Sequence, residues 1–160
     1  MLFKNLEEAL KFAVKQEEMV IKLYKRLCKV ASNEKSKKLF LDLVDIEIEH
    51  RDNLKNYSWA KCGSKALNSV YFDLELSDYE IENDLENLTY LEILLNAAKR
   101  EKLAIDMYTK LSDVYKSSPQ VHNFFYQMIS EEERHKYDLD LMILEHREEL
   151  IDKMKFKDIT

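Results

Sequence analysis

Glu17 and Tyr24 recur 84 residues later as Glu101 and Tyr108, and Glu47 and His50 recur 85 residues later as Glu132 and His135. The flanking residues keep the same offsets. Leu10, Ala13, Lys15, Ile21 and Leu27 return as Leu94, Ala97, Lys99, Ile105 and Leu111, while Phe40 and Leu54 return as Phe125 and Leu139. The one-residue difference between the offsets marks a single insertion between the two parts of the repeat. A repeated unit of this length is a whole supersecondary element. Here it reads as a helical hairpin used twice.

The rest of the sequence agrees with helices. One Gly and one Pro in 160 residues leave few turn signals for a many-stranded fold, and abundant Leu, Glu, Lys and Ala favour helix. Asn5 and Glu8 have capping-box spacing, and Leu6, Leu10, Ala13, Val20, Tyr24 and Leu27 form an apolar stripe that continues to about Ala31. Ser32 or Asn33 can cap a second helix through Phe40, Leu43, Val44, His50, Leu54 and Tyr57, ending before Cys62-Gly63-Ser64. The pattern then weakens, with a short alternation through Val70, Phe72, Leu74 and Leu76. A third helix starts at Ser77–Glu80 or at Thr89–Glu92, and Ser118-Pro119 opens a fourth that runs to about Glu149. The expected fold is all-α: one domain spanning 1–160, with hairpins at about 5–58 and 89–149 joined by a long crossover at about 59–88. Two hairpins with one long connection describe a four-helix bundle of the ferritin-like kind.

Helical phase selects the residues that carry chemistry. Successive residues turn by about 100°, so Glu17 falls on the apolar stripe, seven after Leu10 and seven before Tyr24, whereas Glu18 is rotated outward. Glu101 has the same phase. Glu47 follows Phe40 by seven and Leu43 by four, with His50 on the adjoining turn; Glu132 follows Phe125 by seven and Met128 by four, with His135 likewise. Glu49 and Glu133 point elsewhere, and His122 and His146, outside the repeat, read as surface residues. Four inward carboxylates cannot stay ionised and unpaired in a core, because burial and mutual repulsion both oppose it. Two divalent cations would balance them, with two neutral imidazoles completing the donor set. One lone Glu and one Glu-x-x-His per hairpin is the arrangement of dinuclear carboxylate bundles. Oxygen and imidazole donors suit iron or manganese, although they do not exclude zinc. Tyr24 and Tyr108 are candidates to donate to the ligand carboxylates or to be redox-active, or equally to be core tyrosines satisfied by other acceptors.

At these residues the chain resembles the rubrerythrin-like branch of the ferritin-like di-iron superfamily, in the form where the helical domain stands alone. The resemblance spans about residues 5 to 149. It rests on A-V-K-Q-E-E-M-V-I-K-L-Y around Glu17, D-I-E-I-E-H ending at His50, A-A-K-R-E-K-L-A-I-D-M-Y around Glu101 and S-E-E-E-R-H ending at His135. It implies that Glu17, Glu47, His50, Glu101, Glu132 and His135 hold two iron ions, with manganese or a mixed pair as variants, and leaves open which carboxylates bridge. Two departures stand out. The paired CxxC motifs of a rubredoxin-type centre are missing, so the resemblance implies a separate electron-donor protein if the chain is a peroxidase. The extra glutamate of rubrerythrins, three residues after the helix-3 glutamate, is Ala104 here.

The expected activity is therefore oxidation of Fe(II), or reduction of hydrogen peroxide or dioxygen, at the dinuclear site in iron homeostasis or oxidative stress. Iron storage without catalysis and oxygenation of an organic substrate are the alternatives, and a metal-free interaction module is the remaining reading. A net charge of −6 disfavours nucleic acid as a partner. No apolar run approaches the ~20 residues that span a bilayer, and charged residues spoil a leader reading of the N-terminus. The expectations are a cytoplasmic location, no membrane partner and a homodimer. Cys28 and Cys62 form no CxxC pair and read as reduced thiols.

Overall fold

A computed structural model describes residues 2–3, 6–56, 70–71 and 86–157 of the chain. The helices are α1 (Leu6–Val30), α2 (Glu34–Asn56), α3 (Tyr90–Val114) and α4 (Pro119–Lys157). Two short strands, β1 (Leu2–Phe3) and β2 (Val70–Tyr71), pair antiparallel, with Leu2 opposite Tyr71 and Phe3 opposite Val70. Among the described residues the architecture is all-α apart from this two-residue ladder. The alternating stretch that begins at Val70 thus has a local role at its start, as a partner for the chain's beginning. Its remaining residues, the Asn5 cap, Tyr57, the Cys62-Gly63-Ser64 turn and the Ser77–Glu80 start lie outside the described residues.

Local sequence explains the helix boundaries. The Asn33 side-chain oxygen accepts from the Ser36 backbone N–H at 2.8 Å, capping α2. Thr89 and Glu92 form a reciprocal capping box, which decides where α3 starts. Pro119 opens α4, where its missing N–H costs nothing. The fourth helix runs on past Glu149 to Lys157, beyond the expected end, because residues 150–157 contain no Gly or Pro to stop it. At 39 residues it is about 58 Å long, against about 37 Å for the 25-residue α1 and α3.

Within each hairpin the two helices pack closely, α1 on α2 and α3 on α4, and α1 also packs directly on α3. Two apolar clusters fill the bundle. One gathers Leu10, Ala13, Met107, Leu111 and Phe125; the other gathers Leu23, Leu27, Phe40, Leu94 and Leu139. Between them lies a polar layer made by one carboxylate or carboxylate–histidine pair from each helix.

Candidate metal centre

All six residues of that layer are at most 3% exposed: Glu17 on α1, Glu47 and His50 on α2, Glu101 on α3, Glu132 and His135 on α4. Phase explains the convergence, since each stands on the apolar stripe of its helix and must follow that stripe inward. His50 Nδ1 lies 3.0 Å from Glu132 and 3.3 Å from Glu47. His135 Nδ1 lies 2.8 Å from Glu47 and 3.1 Å from Glu132. The rings stack with centroids 5.8 Å apart. Each histidine thus faces the carboxylate of its own helix and that of the opposite hairpin.

His135 Nδ1 and Glu132 Oε2 make a hydrogen bond at 3.1 Å, yet most of the remaining groups are not satisfied by these short separations. Both carboxylate oxygens of Glu47, Glu132 Oε1 and His50 Nδ1 are buried without a hydrogen-bond partner of acceptable geometry. Such groups are rare in folded proteins. Each stands among other oxygen and nitrogen donors of the layer, an arrangement that could hold a cation. Two groups of ligand atoms, each mutually within 4.8 Å, can be drawn: Glu17, Glu47, His50 and Glu132, and Glu47, Glu101, Glu132 and His135. Glu47 and Glu132 belong to both.

The tyrosines tie the two hairpins together. Tyr24 on α1 donates to Glu101 on α3, and Tyr108 on α3 donates to Glu17 on α1. The exchange shows that α1 and α3 run antiparallel, since moving from 17 to 24 along one moves from 108 to 101 along the other. Tyr24 stacks on Phe40 and Tyr108 on Phe125, a further pair of repeated positions. Burial raises both phenol pKa values well above normal, and the accepting glutamates add to this. Both therefore remain protonated donors.

Burial and mutual contacts shift the ionisation of these groups in opposite directions. Burial raises Glu17 and Glu101 well above the carboxylate range, reinforced by Glu47 and Glu132. Burial also opposes ionisation of Glu47, but the imidazoles of His135 and His50 beside it outweigh this and bring its pKa to about 2. Burial would lower the histidines; contacts with Glu132 and Glu47 win, lifting His135 to about 9 and His50 in the same direction. A cation entering the site would displace these protons, so loading is expected to be proton-coupled.

The structure also holds features that phase alone did not reveal. His50 Nε2 lies 2.5 Å from Glu131 Oε2 on α4. Arg100 and Gln16, the residues just before Glu101 and Glu17, meet between the hairpins, with Arg100 donating to Gln16 Oε1 at 2.6 Å; both are buried. Beside Glu17 this face leaves a space of about 10 Å³, bounded partly by Val20 and Ala104, scarcely room for one water. On the α2–α4 side, a cavity of about 270 Å³ lined by His50, Asn53, Gln127, Glu131 and Arg134 reaches the site. His122 and His146, read from the sequence as surface residues, are half-buried. His122 is half-buried against Ser112, 2.8 Å from its Oγ, and His146 packs on Tyr90. Both clasp the α3–α4 hairpin, contacts invisible to a one-helix pattern. Cys28 is a half-buried free thiol.

Helix order, the crossed tyrosines and the buried carboxylate–histidine cluster define a four-helix bundle whose core is compatible with a di-iron centre. Residues 92–158 match the rubrerythrin family model, a family that usually binds iron, and this match covers nearly all of α3 and α4. No curated protein matches the chain. Among the described residues no helix is long and apolar enough to cross a membrane.

Proposed function

We propose that this chain is a di-iron protein that uses Fe(II) to reduce hydrogen peroxide or dioxygen. The observation that carries this reading is the set of buried, unsatisfied ligand atoms on Glu47, Glu132 and His50, because an apolar core would not leave them so without a cation to bind. Glu17 with His50 would hold one ion and Glu101 with His135 the other, and Glu47 and Glu132, common to both groups, would contribute to holding both. Paired iron would supply one electron per ion to the oxidant.

The protein's own contribution is orientation and proton control. Tyr24 and Tyr108 fix the carboxylates of Glu101 and Glu17 by donating to them. Leu and Phe side chains on either side of the polar layer exclude bulk water. The cavity beside His50 is lined mostly by charged and amide side chains, including Glu131, Arg134 and Gln127, with Ile46, Phe124 and Met128 among them, a mainly polar lining that suits small polar species such as metal ions and peroxide better than a wholly apolar substrate. Electrons for repeated turnover would come from an electron-donor protein.

The test is metal content after anaerobic reconstitution with Fe(II), followed by mixing with oxidant. Two irons per chain and a diferric absorption band on oxidation are expected, both absent from a His50→Ala, His135→Ala double variant. Protein that folds but retains no stoichiometric iron would end the reading.

A further inference from the structure

The repeat gives each site residue a counterpart, and the site breaks that symmetry at the outer nitrogens of its two histidines. Both imidazoles turn Nδ1 toward the shared carboxylates. Behind His50, Nε2 meets Glu131 at 2.5 Å. Behind His135, Nε2 is buried and has no hydrogen-bond partner. The sequence supplies the reason. The position 85 residues before Glu131 is Ile46, so α2 offers no acceptor where α4 offers a carboxylate.

A metal-ligating imidazole whose far N–H donates to a carboxylate is held in one tautomer and one orientation, and it is a stronger donor to the ion. Glu131 can do this at modest desolvation cost, because its side chain is 50% exposed and lines the open cavity with His50. It lies outside both groups of ligand atoms and so acts through His50 as a positioning residue. We propose that Glu131 makes the two metal positions unequal, so that the Glu17–His50 position binds its divalent ion more tightly and fills before the Glu101–His135 position. The proposal rests on the dinuclear reading above and adds an order of filling to it. The open cavity gives the tighter position the shorter route from solvent as well.

Anaerobic titration of the metal-free chain with Co(II), followed by calorimetry and ligand-field absorption, tests this without any turnover. The wild type should bind two ions in steps separated by about tenfold or more, and Glu131→Ile should weaken the first step by roughly 10- to 100-fold while leaving the second in place. Glu131→Gln, which keeps the shape and removes the charge, should move the first step in the same direction by less. His135→Ala should retain the tight step and His50→Ala should lose it. Two equal steps in the wild type, or a Glu131→Ile variant that weakens both steps alike, would overturn the inference. Absence of stoichiometric Co(II) from folded wild type would overturn the dinuclear reading itself, and with it this proposal.

Discussion

The two hairpins are alike where they face the centre and differ one position away from it. Glu17 matches Glu101, Glu47 matches Glu132, His50 matches His135, and the tyrosines and their stacking phenylalanines match as well. Gln16 and Arg100 occupy equivalent positions yet form a donor–acceptor pair, and Ile46 stands where its counterpart is Glu131. The difference teaches what repetition permits. Where a residue meets its own counterpart across the interface, a duplicated charge would face itself; two buried arginines would repel, whereas Arg against Gln satisfies both. The buried carboxylates of the polar layer are the exception, and they keep their likeness because protons or cations can lie between them.

The largest effect should come from removing a shared carboxylate. Glu47→Ala or Glu132→Ala touches both ligand groups, so either should reduce iron content from two per chain to less than one. His50→Ala or His135→Ala, touching one group each, should leave about one; elemental analysis distinguishes the cases. If Glu47→Ala and Glu132→Ala leave one iron, the hairpins do not share these ligands.

Proton linkage comes next. Glu17, Glu101 and His135 all have raised pKa values in the metal-free fold, so each stabilises the protein below its unfolded pKa and loses that contribution as pH rises through its folded value. For His135 the window runs from 6.5 to about 9. Metal-free protein should therefore melt at progressively lower temperature as pH is raised across that interval, and metal-loaded protein should lack this decline. Glu47 acts oppositely: its contribution is full above 4.5 and is lost toward about pH 2.

The crossed tyrosines offer a smaller and sharper comparison. Tyr24→Phe leaves Glu101 without its donor and Tyr108→Phe does the same to Glu17, each at a cost of about 1–3 kcal/mol. Near-equal losses in denaturant unfolding would show that the repeat is symmetric in energy as well as in sequence, and unequal ones would locate a second asymmetry. The smallest effect belongs to the extended end of α4. Leu150, Ile151 and Met154 are exposed, so removing residues 150–157 should change stability by no more than about 0.5 kcal/mol. A larger loss would mean that this end of the second hairpin supports the bundle.

How much of this was legible in the sequence follows from distance. The six core residues and both tyrosines could be found because helical phase and repetition are properties of single segments. Thr89 and Asn33 could be named as caps for the same reason, although Thr89 competed with Ser77 until the structure placed its capping box. Glu131 was passed over because it neighbours the inward Glu132 and is itself half exposed; its meaning depends on how closely α2 and α4 approach. A signal was present, however, in the broken equivalence with Ile46. Gln16 and Arg100 were hidden similarly, since a buried arginine on a helix looks like any surface arginine until the facing helix is known. The end of α4 was misjudged because the inward pattern fades before the helix does.

Each tyrosine reaches out of its own hairpin to steady a carboxylate of the other, so no half of the molecule holds a finished site. A solitary hairpin that met a second copy of itself would have had everything required. Ancestry by fusion of such a self-pairing hairpin would explain both the repeat and the crossing of its bonds. On that history the single chain did not invent the centre. It released the two halves from being identical, and Glu131 is where one of them used that freedom.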